Sequence, residues 1–580
     1  MNSLFRRKSI SSVLKNIDVA DDIERSPGLK RTLTVRDLTF FGIAAIIGAG
    51  SFSSLGSAIF NGGPGVVLLF VITGIACAFT AYCYSEFASR IPVAGSAYTY
   101  AYTSFGELFA WVIGWALIME YSIGNIYVAF SWSDYFTSFL DKSGLHVADY
   151  LSCSYLEAKK LFDAYTHSLA TDAPMILTSA QSELKNAWEL APTIGGLKII
   201  LDLPAFMINI FITALVYIGV KESRNFSNVM VILKLAIVLL VILVGGILLF
   251  SNGLTFNWNP ENETGVKSFM PNGFGGVMMA ISGVFFAYIG FDAVSTMAEE
   301  SKNPQRDLPR GMILSLVICT AVYILLTLVL SGVVNYKNFD GVGDPLAFIF
   351  EEQNLNIGWM QILVSICAVI AMTSVLLVFQ LGQPRIWMSM SRDGLLPKKF
   401  NTVHPKYKTP SYATIVTGLV VGIPLLFTDK TFVLDFTSIA TLFAFVLVCG
   451  GVLLIPRREK EKGRFHMPYV NAKFIFPAIV TGFFILFCSV NDNYISGLFA
   501  GRSAYNISTI IFWITCFLLS IFAFMRNWSL IPLMGVSTCL YLLTGMTAKN
   551  WIWFAAWLAI GLVIYFIYGR KNSNLNTSKA

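Results

Sequence analysis

Charge is what this chain has least of: of 580 residues only 13% are Asp, Glu, Lys or Arg, against roughly 25% in a soluble domain. With 55% apolar residues and a mean hydropathy of +0.66, that scarcity excludes an ordinary soluble domain and predicts a polytopic membrane protein. Histidine is scarcer still. His146, His167, His404 and His466 all fall outside the apolar runs with no ligand-like spacing to cysteine, so no metal site is expected. Of nine cysteines only Cys153 lies outside those runs, which excludes a disulfide framework. The chain lacks a Gly-x-x-x-x-Gly-Lys motif and an appended soluble domain, which excludes ATP-driven chemistry. No cofactor and no enzymatic reaction are expected. The first 36 residues are polar and basic and lack a cleavable signal; they read as a cytoplasmic N-terminal tail.

What the chain has is long hydrophobic runs. A hydrocarbon core of ~30 Å needs ~20 residues of helix. Fourteen runs qualify, at about 37–60, 66–89, 108–137, 199–220, 225–250, 273–298, 309–334, 358–384, 411–427, 432–455, 473–490, 507–525, 528–546 and 550–568. With the N-terminus inside, the inner segments carry 30 Lys and Arg and the outer loops 10. That asymmetry predicts both termini to be cytoplasmic. The net charge of +7 is therefore a topology signal and gives no reason to expect nucleic acid as a partner. The longest outer loop, about 138–198, reads as a pair of surface helices or a short lid.

Two runs, the first and the sixth, are broken by glycine at their centres: Ile46-Ile47-Gly48-Ala49-Gly50-Ser51 and Phe286-Ala287-Tyr288-Ile289-Gly290-Phe291. Backbone that unwinds at membrane depth is tolerated only where protein or a water-filled cavity surrounds it, and breaks at matching positions of two halves point to a transported substrate. The N–H groups of Ala49, Gly50 and Ser51 are candidates for a carboxylate, because a helix start leaves donors free and its dipole favours an anion. The carbonyls of Ile46, Ile47, Phe286 and Ala287 are candidates for an ammonium. Close helix packing by small residues is the competing explanation of such glycines.

Two charged residues lie deep inside runs. Lys234 falls ~14 Å along the fifth at 1.5 Å per residue, and Glu120 about twelve residues into the third. A lysine at mid-membrane costs roughly 2.5–3.5 kcal/mol on insertion scales, so an inward-facing, functional position is the default expectation. Burial disfavours the charged form of both, which makes Lys234 and Glu120 candidates for proton coupling. A fixed structural pin (Lys234) and a hydrogen-bonded strut or a partner for a basic substrate (Glu120) are the alternatives.

The chain resembles the cationic amino acid transporter family of the amino acid–polyamine–organocation superfamily. The motifs that carry the likeness are Leu33-Thr34-Val35-Arg36-Asp37-Leu38, Ile47-Gly48-Ala49-Gly50, Tyr84-Ser85-Glu86-Phe87-Ala88, Ile91-Pro92-Val93-Ala94-Gly95-Ser96-Ala97-Tyr98, Gly290-Phe291-Asp292-Ala293-Val294-Ser295-Thr296, Glu299-Glu300-Ser301-Lys302-Asn303-Pro304-Gln305-Arg306-Asp307-Leu308-Pro309 and Met390-Ser391-Arg392-Asp393-Gly394-Leu395-Leu396-Pro397. The resemblance implies an all-α integral membrane fold of the LeuT type: a five-plus-five inverted repeat with additional C-terminal helices, about fourteen transmembrane helices in all. The corresponding division is a tail over 1–36, a ten-helix core over 37–455, four additional helices over 456–568 and a cytoplasmic C-terminal tail over 569–580.

The resemblance further implies secondary transport of L-amino acids across the plasma membrane, or the inner membrane of a bacterium, by alternating access. Proton coupling without sodium is expected, with a facilitative exchanger as the alternative and a non-transporting sensor after it. Among such relatives a lysine like Lys234 fills a cation position beside the eighth helix, where Thr373 and Ser374 would be its partners. Tyr288, next to Ile289 in the sixth-run break, resembles an aromatic gate; the bland alternative is a packed ring with its hydroxyl bonded nearby. One departure is that the first break reads Gly48-Ala49-Gly50-Ser51-Phe52 where the family commonly has Gly-Thr-Gly-Ile-Phe. Amino acid, protons and the lipid bilayer are the expected partners, and nothing in the sequence reads as a signal of oligomeric state.

Overall fold

The computed structural model describes residues 6–8, 33–48, 50–91, 96–170, 177–219, 224–262, 265–407, 409–456, 464–490, 494–500 and 504–577. The first helix, α1 (Val35–Ile46), starts where the Asp37 carboxylate accepts the Thr34 N–H at 2.9 Å and the Thr34 hydroxyl at 2.7 Å, an N-terminal closure that occupies donors a helix start leaves free. It stops at Ile47, which turns extended (φ −76°, ψ 93°). The chain then passes through a π-type turn, Gly50–Ser54, into α2 (Leu55–Gly62).

Long helices follow: α3 (Val66–Arg90), α4 (Ser96–Ser104) and α5 (Glu107–Lys142). The outer loop holds α6 (Tyr155–Ala170) and α7 (Ser179–Leu190), packed on each other, and a two-residue hairpin, Thr193–Ile194 against Leu197–Lys198. A helix pair is thus present there, and the hairpin is an addition that residues 193–198 did not advertise. Beyond it come α8 (Leu203–Ile218), α9 (Arg224–Ser251) and the bent pair α10 (Gly273–Met279) and α11 (Ile281–Phe286), with a 43° bend between the two. After α11 the chain runs as a 3₁₀ helix over Phe291–Glu300, long for that geometry, in which runs beyond 3–4 residues are uncommon and often mark a hinge. The longer helices that remain are α12 (Pro304–Val333), α13 (Gly358–Arg392), α14 (Ser411–Leu425), α15 (Lys430–Leu454), α16 (Ala472–Val490), α17 (Ala504–Arg526), α18 (Leu530–Thr544) and α19 (Ala548–Ile564).

Each expected apolar run contains one of these helices or a broken pair. Among the described residues nine helical stretches are long and apolar enough to cross a membrane, ten if the bent pair counts as one, and α8, α14 and α18 are shorter apolar helices. On α9 the membrane-facing side is plain: Val229, Ile232, Leu239, Leu243, Ile247 and Phe250 are exposed, while Val231, Lys234, Val238 and Val241 are buried. That one-sided stripe at helical spacing turns Lys234 inward.

The interior is built by α5 lying along α13 and α15, and by α12 clasping α1 and α3. The last four helices share two packing regions. α16 and α17 form a small core around Phe476, Trp513 and Cys516, to which α18 adds Leu533. α18 and α19 join the main body: α18 packs on α15 and α3, and the indoles of Trp111 and Trp115 on α5 donate to the carbonyls of Gly561 and Trp557 at 2.9 and 2.8 Å.

Candidate site at the two broken helices

The two breaks meet. A Cβ on Gly50 would fall 2.9 Å from the backbone N of Ala287 and 3.0 Å from its Cβ, and a Cβ on Gly290 would fall 2.8 Å from the carbonyl oxygen of Ala45. Gly290 also has φ 114°, in the left-handed region that side chains other than glycine rarely enter. Glycine is thus required twice where the two unwound backbones touch. The hydroxyl of Ser54 ties the same junction, donating to the carbonyls of Gly50 at 2.7 Å and Gly283 at 2.8 Å.

Unwinding leaves carbonyls without helical partners, and four near the first break have donors. Lys234 Nζ donates to Ala44 at 3.2 Å and the Tyr323 hydroxyl to Ile46 at 2.9 Å. Gly48 accepts from the N–H groups of Ser51 and Phe52, at 3.0 and 3.1 Å, and from the Ser51 hydroxyl at 3.0 Å. Phe52 accepts from the Tyr135 hydroxyl at 2.6 Å. The junction is closed in this arrangement, and a zwitterion would enter by exchanging its own ammonium and carboxylate for these internal bonds.

The expected site residues fall as follows. Ile46, Ile47, Gly50, Ser51, Phe286, Ala287, Tyr288 and Ile289 are all buried at or beside the junction, and Ala49 lies outside the described residues. The Phe286 ring stands edge-on to that of Tyr127 at 4.6 Å. The Tyr288 hydroxyl donates to the Phe70 carbonyl at 2.8 Å, its ring between those of Phe70 and Tyr323, so here it is a packed aromatic joining α3 to α12. A Cβ on Gly48 would lie 2.7 Å from Val375, the neighbour of Thr373 and Ser374, which sets that part of α13 against the first break. Thr373 accepts from the Trp132 indole at 2.9 Å and donates to Val369 at 2.7 Å; Ser374 donates to Ala371 at 3.0 Å.

Glu120 is buried on α5, facing Thr441 of α15 and in the field of Asp292. The helix it faces is different from the one Lys234 bonds. Asp292 bonds the backbone of its own turn, at Gly290 and Ala293. On the side expected to be cytoplasmic, Glu86 pairs with Arg90 at 2.7 Å and accepts the Met467 N–H at 2.9 Å, whereas Arg392 reaches Asn401 at 3.3 Å. The side chain of Glu299 lies outside the described residues.

Sequence reasoning missed Tyr127, Tyr135, Tyr323, Ser54 and Thr441. Their common signal is a hydroxyl in the middle of an apolar run, where it needs a partner.

Unwound segments that meet inside a bundle of apolar helices define a membrane transporter, irregular backbone at depth being kept where a solute must be coordinated. The profile described as amino acid permease matches residues 33–516, and a second, for the C-terminus of such permeases, matches 530–573. The branched-chain amino acid permease BcaP of Bacillus subtilis (strain 168) is 36% identical over 99% of both chains. The methylthioribose transporter of the same organism is 33% identical over 99% of this chain and 100% of its own. The mitochondrial cationic amino acid transporter 3 of Arabidopsis thaliana is 30% identical over 99% of this chain and 96% of its own. The chain belongs to the amino acid permease family, within the cationic amino acid transporter group of the amino acid–polyamine–organocation superfamily. It is an integral membrane permease and not an enzyme.

Proposed function

We propose that this chain is a secondary transporter of L-amino acids that works by alternating access on a five-plus-five inverted repeat, with fourteen membrane crossings and both termini cytoplasmic. The plasma membrane, or the inner membrane of a bacterium, is its location. The observation that carries the reading is the contact of the two interrupted helices at Gly50 and Ala287, with the carbonyls of Ala44, Ile46 and Gly48 held by side chains or amides that a substrate can replace. The substrate carboxylate takes the N–H groups at Ala49, Gly50 and Ser51, and its ammonium takes carbonyls at Ile46, Ile47, Phe286 and Ala287, with Tyr288 and Ile289 completing the wall. Coupling is to protons and independent of sodium. Lys234, on the Ala44 carbonyl, supplies the cation that would otherwise be sodium, with Thr373 and Ser374 as its partners in the cycle, and Glu120 carries a proton on α5.

The same Lys234–Ala44 bond also favours a second reading, in which Lys234 is a permanently charged pin and the protein a facilitative exchanger. Uptake of labelled alanine and arginine into sodium-free proteoliposomes, with and without an inward proton gradient, separates the two. Symport is supported by gradient-driven accumulation that Lys234→Met or Glu120→Gln abolishes. Counterflow indifferent to the gradient makes it an exchanger, and binding without flux removes transport altogether.

A further inference from the structure

One end of the site contains a partly buried ion pair, its lysine 18% and its aspartate 28% exposed, that the motifs do not mark. Lys430 opens α15, directly after Asp429, whose carboxylate caps the helix by accepting the Phe432 N–H at 2.8 Å. The loop helix α6 fastens this turn from outside: Lys160 pairs with Asp429 at 2.6 Å and Glu157 accepts the Lys430 N–H at 2.8 Å. With its backbone held, the Lys430 side chain folds inward until only 18% of it is exposed. There it pairs with the Asp134 carboxylate of α5 and sits 5.6 Å from the centre of the Tyr127 ring, within the range of a cation–π contact.

Tyr127 belongs to the site. Its ring meets that of Phe286 at 4.6 Å, and its hydroxyl lies 3.4 Å from the Ser53 hydroxyl. Asp134 is similarly placed: a Cβ on Gly343 would collide with its carboxylate, and the Gly343 carbonyl accepts from Ser53 at 3.0 Å. A carboxylate therefore stands one ring away from both broken helices, where the side chain of a basic amino acid would seek it. In this chain that carboxylate is already neutralised by a cation tethered to the protein.

We propose that Lys430 occupies the position of a basic substrate side chain, with its ammonium on Asp134 and Tyr127, so that the chain selects amino acids whose side chains are neutral. The inference rests on the amino acid transport reading above and adds the substrate class. A lysine or arginine substrate has to compete with the Lys430 ammonium for Asp134 and place a second cation beside it at a partly buried site, where like charges disfavour each other. A neutral side chain meets no such competitor. Because the lysine is part of the chain it is always present at its site, and raising the concentration of a basic amino acid displaces it only weakly.

The test is the ratio of labelled arginine to labelled leucine uptake by the full-length protein in sodium-free proteoliposomes. We expect leucine to exceed arginine at least tenfold in the wild type and in Lys430→Arg. Lys430→Met should raise the arginine-to-leucine ratio tenfold or more, and adding Asp134→Asn to it should reverse that gain. Lys430→Gln, which keeps a hydrogen-bond donor, is the second variant should Lys430→Met prove aggregated on size-exclusion chromatography. An unchanged ratio in a folded Lys430→Met or Lys430→Gln protein that still moves leucine overturns the inference, as does a wild type that prefers arginine. A wild type that moves neither amino acid removes the transport reading instead. Ligand-induced melting shifts then decide the inference: stabilisation of Lys430→Met but not of the wild type by arginine supports it, and equal responses overturn it.

Discussion

Gly50→Ala is the substitution on which the description of the site stands most directly. The added methyl falls 2.9 Å from the N and 3.0 Å from the Cβ of Ala287, whereas carbon atoms in ordinary contact sit at ~3.5–4.0 Å. The Ala287 Cα is nearer still, so the first and sixth runs must separate by roughly 1 Å or more at their breaks, a gap that forfeits about half of the local attraction. The obstacle is backbone, which cannot swing aside as a long side chain would. Overpacking of this kind costs about 1–3 kcal/mol, and a bias of that size changes the ratio of two conformations roughly 5–150-fold. If the arrangement in which the breaks touch is part of the transport cycle, amino acid exchange by Gly50→Ala should fall at least ~5-fold and its melting temperature should drop. Gly482→Ala on α16, where an added Cβ meets nothing within 4 Å, is the control and should behave as wild type. Equal exchange rates and melting temperatures for the two variants would refute the claim that the breaks are pressed together.

Two further outcomes follow from the hydrogen bonds and the loop charges. Tyr323→Phe leaves the Ile46 carbonyl without its 2.9 Å donor; a buried unsatisfied carbonyl costs ~1–3 kcal/mol, so the variant should melt lower and transport more slowly, and wild-type values in both assays would contradict the assignment. Glu157 on the outer loop is pushed from its ordinary 4.5 up to about 7, chiefly by desolvation and against the pull of the Lys430 amide. An acid held protonated by folding stabilises the folded state most fully at low pH, and that contribution fades as pH rises from about 4.5 through about 7. Glu157→Gln should accordingly lose less stability than wild type across that window in a melting series, and parallel curves would exclude the effect.

The positions of the helices were legible because a membrane helix satisfies its backbone within its own segment, so a run of apolar residues specifies its structure locally. The expected runs at 66–89 and 358–384 fall within α3 and α13, α13 continuing to Arg392, and the glycine breaks after Ile46 and Phe286 end helices where expected. The inward turn of Lys234 was legible for the same reason, since no stable arrangement leaves a mid-membrane ammonium in lipid. The candidate site was only half legible. Backbone breaks named the residues that lose helical partners, but not the side chains that replace them: Tyr323 is 277 positions from Ile46 and Lys430 is 296 from Asp134.

Hydrophobic length and glycine placement were enough to specify a membrane protein of many helices, two of them interrupted at depth. That the two interruptions touch, that a tyrosine from α12 and a lysine from α9 hold carbonyls they expose, and that an ion pair with Lys430 lies near them follows from packing alone. Such partners are chosen by how helices pack, and packing joins residues that no local pattern relates.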